Sequence, residues 1–272
     1  MAVTSEEPNT ERVLLQQMSW PQVKAAMAAG KSTAVFACGA VEQHGPHLPT
    51  GTDDYLGTAI AERAARIAGN ALVAPTLRPG LSEHHMWFPG SFTLRPSTFI
   101  ALMEDYCESL VRQGFRRIVI FPSHGGNADT MRAQAPLLAR AFQERAEIVV
   151  WLRGDMMKQS AELLAPRGVT LGQAGAHAGF TETSMMLDYQ PELVRMEAAE
   201  PGRCDEEFYL PENIGRSQME SFLHGIQTQS PNGILGDPVG STAEAGDELL
   251  ELVARALAHE LQSELAPIAR TT

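Results

Sequence analysis

The chain is short of positive charge. It carries 21 Lys and Arg against 33 Asp and Glu among 272 residues, a net charge of −12. No Lys/Arg run offers phosphates an electrostatic footprint, which argues against a nucleic-acid partner. Cysteine is scarce as well. Cys38, Cys107 and Cys204 are odd in number, far apart and without a CxxC pair. No disulfide framework is expected, and this usage fits a reducing cytoplasm. Cys38 closes an apolar run and reads as a small core residue rather than a nucleophile. Long apolar runs are missing: none approaches the roughly 18 residues of a membrane-crossing helix. The opening Met-Ala-Val-Thr-Ser-Glu-Glu-Pro has no basic n-region and no apolar h-region, so no secretory signal is visible.

What is present is an ordinary globular composition, 44% apolar and 20% charged. The length allows a core that needs neither a disulfide nor a structural metal. Short apolar runs alternate with amphipathic segments. Strands are expected at Thr33–Cys38, Ala71–Thr76, Arg117–Phe121 and Ile148–Leu152. Helices are expected at Asp54–Ile67, Ser97–Gln113 (with Ser97 as its cap), Ala128–Glu144 and Ala243–Leu265. This alternation predicts an α/β fold, a mainly parallel sheet covered on both faces. With no composition break, Gly/Ser linker or internal repeat, the pattern suggests one domain over 1–272, of which 1–15 is a flexible N-terminus. The stretch 195–238 has little periodicity and is expected to pack as loops and short elements at a subunit contact.

The chemistry concentrates after strands. Residues 42–54, Glu-Gln-His-Gly-Pro-His-Leu-Pro-Thr-Gly-Thr-Asp-Asp, hold four candidate metal ligands: Glu42, His44, His47 and Asp53. Open α/β sheets place active sites at the carboxyl ends of their strands. Glu42 and His44 are two apart, so in extended chain they point the same way. The Gly and Pro residues that follow favour a turn that returns Asp53 to the same point. Mixed carboxylate and imidazole ligands suit Zn, Mn or Fe better than Ca or Mg. A polar loop in which acids and histidines merely coincide is the plainer alternative.

Pro122-Ser123-His124-Gly125-Gly126-Asn127 follows the third strand and should share that sheet edge. Here His124 is a further candidate ligand and Asn127 a candidate helix cap. In Gly175–Ser184, His177 lies among small residues that would let a substrate approach. Glu182 opens an expected helix, Thr181–Leu187, where a carboxylate also suits the helix dipole. Ser82–Gly90 gathers His84, His85, Trp87 and Phe88, as a pocket wall or as a packed loop. Gly233–Pro238 is turn chemistry.

On these residues the chain resembles the creatininase (creatinine amidohydrolase) family. The landmarks are Glu42-x-His44-Gly-x-His47-Leu-Pro-x-x-Thr-Asp53, His85-x-x-Phe88-Pro-Gly90, His124-Gly-Gly-Asn127, His177-Ala-Gly-x-x-Glu182-Thr-Ser184 and Gly236-Asp237-Pro238. Five ordered motifs run from about Ser19 to the last helix. The resemblance implies an α/β/α sandwich assembled as a homo-oligomer, commonly a hexamer, with two divalent metal ions per subunit. Zn is the first expectation and Mn or Fe the others. By position, Glu42 and His124 would hold one metal and His44 the other. Asp53 would bridge them and Glu182 would complete the second site. His177 would transfer a proton to the leaving nitrogen. His47, His85, Trp87, Phe88, Asn127 and Phe180 would line the substrate site or orient its ligands. Creatininases carry Tyr-Glu, the Glu a metal ligand, where this chain has Gly125 and Gly126. That departure argues against creatinine as substrate. Phe180 stands where many members have an acid, which suggests a more apolar pocket wall.

These readings converge on a binuclear metal hydrolase acting on carbon–nitrogen bonds other than peptide bonds, with a small, cyclic amide as substrate. A peptidase trimming a modified peptide, a hydrolase of a cyclic keto-sugar or lactone, and a non-catalytic metal-binding module are the alternatives. A peptide predicts an open cleft. A small cyclic amide predicts an enclosed pocket, closed by the Trp87–Phe88 loop.

Overall fold

The structure, a computed structural model, describes residues 12–152 and 156–263. In chain order these residues form α1 (Trp20–Ala28), β1 (Thr33–Cys38), α2 (Thr52–Ala68), β2 (Ala71–Val73), α3 (Pro96–Gln113), β3 (Arg117–Pro122), α4 (Ala128–Phe142) and β4 (Glu147–Val150). There follow α5 (Met156–Leu164), α6 (Leu171–Ala174), α7 (Phe180–Tyr189), α8 (Pro211–His224) and α9 (Ala243–Gln262). The strands pair in parallel in the order β2-β1-β3-β4.

Strand alternation explains the layers. Val35 and Ala37 of β1, Val73 of β2, and Val119 and Phe121 of β3 point to one face and pack with the apolar stripes of α2, α7 and α9. Ala34, Phe36 and Cys38, with Leu72, Ile118 and Ile120, point to the other face and pack with α3 and α4. With both faces buried, the strands read as continuous apolar runs rather than alternating ones. The α/β/α sandwich expected from the sequence is therefore present. The chain leaves β1 for β2 on one side and returns through α3 to β3 on the other. The crevice between the carboxyl ends of β1 and β3 is thus the topological switch point.

Several local expectations are corrected. β2 stops at Val73, because Pro75 has no N–H to give the ladder. α3 begins at Pro96 after Arg95, so Ser97 is inside the helix rather than its cap. Asp53 lies in the first turn of α2, not in the loop before it. The stretch 195–238, expected as loops and short elements, also contains the 14-residue α8. Of the expected N-terminal tail 1–15, residues 1–11 lie outside the described residues, and Val13 and Leu14 are buried, Leu14 bridging to Val73. Leu265, the expected end of the last helix, also lies outside them. Cys38 is fully buried and its thiol is raised by that burial, in keeping with a core role. Among the described residues, no helix is long and apolar enough to cross a membrane.

Candidate metal centre

The loop after β1 carries Glu42 and His44, and the first turn of α2 carries Asp53. The loop after β3 adds His124, and the first turn of α7 adds Glu182. All five converge on the switch-point crevice. His124 Nδ1 lies 3.2 Å from Glu42 Oε1 and 3.3 Å from Asp53 Oδ2. His44 Nε2 lies 3.7 Å from Asp53 Oδ1 and 3.8 Å from Glu182 Oε2. The two oxygens of Asp53 thus face different histidines.

These spacings test the fit of a metal. Donors held about 2.1 Å from a tetrahedral ion stand roughly 3.4 Å from one another. Glu42 Oε1 and Oε2, His44 Nε2 and Asp53 Oδ2 are buried with no hydrogen-bond partner. Buried polar atoms are nearly always paired, and leaving one unpaired costs about 1–3 kcal/mol. Unpaired donors that converge at ligand spacing fit divalent ions well. His44, Glu182 and His177, and separately Glu42, His44 and Asp53, place their ligand atoms within 4.8 Å of one another.

The backbone aims the ligands. His44 Nδ1 donates to the Glu42 carbonyl at 3.1 Å, leaving Nε2 for the crevice. His124 Nε2 donates to the Leu81 carbonyl at 3.1 Å, leaving Nδ1. Such outer hydrogen bonds fix the tautomer of a metal-binding imidazole. Ala178 adopts a left-handed φ of 53°, and its N–H donates to Glu182 Oε2 at 2.5 Å.

The electrostatics call for added positive charge. Burial would lower His44, but Asp53, with Glu182 and Glu42 behind it, lifts it to about 9. Burial likewise opposes protonation of His124, yet Glu42 and Asp53 hold it well above the usual imidazole range. Asp53 is kept ionised against burial by His44 and His124, whereas burial pushes Glu182 up.

Two neighbouring histidines, His177 and His85, are shifted the other way. Burial and the neighbouring His44 hold His177 well below its ordinary value. Its Nε2 donates to the Gln43 carbonyl at 2.8 Å, and its Nδ1 lies 3.7 Å from Glu42 Oε1. His85 is also lowered by burial, with His177 next. The Gln43 amide donates to His85 Nδ1 at 2.9 Å, which leaves His85 Nε2 as an N–H, 3.4 Å from Glu42 Oε1. His47 is not among these clusters: its Nε2 bonds Thr183 Oγ1 at 2.9 Å, bracing the turn that carries Glu182.

A cavity of about 290 Å³ opens onto this cluster, between Glu42, Asp53, His124, His177 and Glu182 on one side and α8 on the other. Three residues expected at the substrate site lie elsewhere. Trp87 is 73% exposed, because the loop turns outward after His85. Phe88 lines a separate surface groove with Pro46 and Pro89. Phe180 points into the core under α9. Asn127 does not cap α4 either. Its amide donates to the carbonyls of Cys38 and Gly39, and its oxygen accepts from Leu81 N, which ties three loops together.

The residues not anticipated are Gln43, which links two histidines, and Ser217, Gln218 and Ser221 of α8 in the cavity wall. The signal for α8 was available: Pro211 suits a first helical position, Gly225 a stop, and Met219, Phe222 and Leu223 recur at helical spacing.

Three comparisons bear on this centre. The family model for Creatininase (Creatinine amidohydrolase) matches residues 16–261. The creatinine amidohydrolase of Pseudomonas putida is 28% identical over 95% of this chain and 99% of its own length. The mycofactocin precursor peptide peptidase of Mycolicibacterium smegmatis is 30% identical over 78% of this chain and 76% of its own length. Among solved structures, a mutant creatininase of the Zn-Zn type superposes with a TM-score of 0.73 at 27% identity, over 92% of this chain and 97% of its own.

Proposed function

The chain belongs to the creatininase family, and from that premise we propose that this creatininase-family hydrolase cleaves a C–N bond of a small, cyclic amide with two divalent metals. The observation that carries the reading is the set of buried, unpaired ligand atoms on Glu42, His44 and Asp53, set at metal-donor spacing from His124 and Glu182. Glu42 and His124 would hold one metal, His44 and Glu182 the other, with Asp53 offering one oxygen to each. Zn is the first candidate, because imidazole and carboxylate donors suit it and the Zn-Zn creatininase is similar to this chain. Mn and Fe are compatible with the same donors. When bound, two such ions acidify the attacking water and polarise the amide carbonyl.

The protein groups do the rest. His177 is neutral, with Nε2–H committed to the Gln43 carbonyl and Nδ1 turned toward Glu42. It is therefore ready to accept a proton at Nδ1 and pass it to the departing amide nitrogen. His85, held as an Nε2–H donor by Gln43, steadies Glu42. A non-catalytic metal module would leave the cavity and His177 without a task.

The cavity of about 290 Å³ suits a single ring. Its lid differs from the Trp87–Phe88 loop: α8 is the wall opposite the acids and histidines. The reading treats the chain as one creatininase-like domain in a cytoplasmic homo-oligomer, a hexamer by family resemblance. The exposed Met219, Phe222 and Leu223 of α8 give it an apolar face to bury. Similarity to the peptidase keeps peptide trimming as a second reading.

The test is metal analysis of the purified protein with a hydrolysis screen of cyclic amides, formamides, lactones and peptides. Bound or activating divalent metal with turnover of a cyclic amide is expected. No bound metal and no metal-stimulated activity would remove the reading; turnover of peptides alone would move it to the peptidase.

A further inference from the structure

The cavity carries its charge at one end. Its acids are Glu42, Asp53 and Glu182, all of them candidate metal donors, and among the described residues no Lys or Arg lines it. Phe208, Ile226 and Leu235, a small apolar cluster of their own, add greasy surface. The opposite wall is neutral and polar. There α8 presents Ser217, Gln218 and Ser221, joined by Gln229 just beyond the helix. Ser217 and Ser221 are four apart, so they share one helix face. Phe222 packs its ring on His84, with centroids 4.5 Å apart, and this contact anchors α8 across from the acids.

Part of that wall is already committed. Ser221 Oγ donates to Gln229 Oε1 at 2.9 Å, and Gln229 Nε2 donates to the Ser217 carbonyl at 2.6 Å. These bonds hold the wall together and use up Ser221 and Gln229. Among the described residues, Ser217 Oγ and the Gln218 side-chain amide make no hydrogen bond. Two uncharged polar groups are thus left facing the cavity.

We propose that Ser217 and Gln218 set the specificity of this site, and that its substrate is an uncharged cyclic amide with a hydroxyl or second carbonyl on the ring edge opposite the scissile bond. The inference rests on the amide-hydrolase reading above and names its substrate class. A hydroxyl and a side-chain amide each donate and accept, so together they can meet either kind of group. A carboxylate at that edge would lose its water without gaining a counter-charge, which is costly. The neighbouring cation does not serve it, because Arg216 lines a separate groove with Glu220 and His224. A methyl there would leave both polar groups covered and unpaired. A ring held at both ends also presents its scissile bond in one orientation.

The experiment compares three γ-lactams that carry a hydroxyl, a methyl or a carboxylate on the ring carbon opposite the amide bond. Binding to the zinc-loaded protein is measured by ligand-observed NMR titration, and hydrolysis is followed in parallel. Wild type should bind the hydroxyl compound about tenfold more tightly than the methyl compound, with the carboxylate weakest. In the double variant Ser217→Ala, Gln218→Leu that preference should fall to near one. A merely structural loss would instead weaken all three alike. Metal-dependent hydrolysis without preference for the hydroxyl, strongest binding of the carboxylate, or a preference unchanged in the variant would overturn the inference and leave the amide-hydrolase reading standing. Neither binding nor hydrolysis of any of the three would overturn both. If the double variant does not fold, the wild-type ranking decides, and a methyl compound bound as tightly as the hydroxyl compound refutes the proposal.

Discussion

Raising the pH of the metal-stripped chain from 6.5 to 9 should destabilise it, because folding holds both His44 and His124 protonated, and the His44 share can be sized. The imidazole is fully buried beside Asp53, and its value rises from 6.5 to about 9 on folding. A group with a raised folded value stabilises fully below its unfolded value, and that stabilisation is lost as the pH rises through the folded one. The shift corresponds to about 3 kcal/mol. The depressed Asp53 is the same contact seen from its partner, so it is counted once. For a chain of this size the loss corresponds to roughly 6–12 °C of Tm. The assay is calorimetry of the chelator-treated protein at steps between pH 6.5 and 9, beside His44→Gln. The variant should show a shallower profile, the slope that remains coming from His124. Loading wild type with zinc should flatten the profile too, because a metal on Nε2 takes the place of the proton that titrates. A flat wild-type profile, or the same slope in His44→Gln, would refute the reasoning. On the acid side the sign reverses. His47, lowered by burial to about 4, stays neutral in the folded chain while the unfolded chain takes up a proton, so stability falls as pH drops from 6.5 towards 4.

Two further outcomes separate catalysis from scaffolding. His177→Ala should retain both metals by elemental analysis and lose about 10²–10⁴ in kcat; near wild-type turnover would remove His177 from the reaction. Gly246→Ala should lower the denaturation midpoint by the equivalent of about 1–3 kcal/mol, because a Cβ there would collide with the Ser184 backbone where α9 crosses α7. Since α7 carries Glu182, the variant should also bind its second metal more weakly; an unchanged midpoint and affinity would show that the helices adjust without strain.

The centre was more legible than its surroundings, and the reason is local. Glu42, His44 and Asp53 lie within one βα connection, and His124 follows a buried strand, so a parallel sheet brings them together once the strands are recognised. Trp87, Phe88 and Phe180 read as pocket residues because the sequence places them beside motif histidines. Their directions depend on how the loop after His85 turns and on the core that α9 presents, neither of which is a property of neighbouring residues. Asn127 shows the same limit. Its position before α4 suggests a cap, but carbonyls from the β1 loop offered a better use for its amide.

By itself the sequence determined the layered α/β fold, through buried strands that alternate with amphipathic helices. It also determined the types of donor available, because ligand chemistry belongs to the residue. The tertiary structure decided which donors share a point in space and which ring nitrogen each histidine offers. It also decided that α8 faces the acids and histidines across the cavity, and that His84 fills the space beside Gly126. Those outcomes depend on contacts between residues dozens of positions apart, such as Gln43 with His177 and His124 with Leu81. Only the packed sheet and its loops bring such residues within hydrogen-bonding reach.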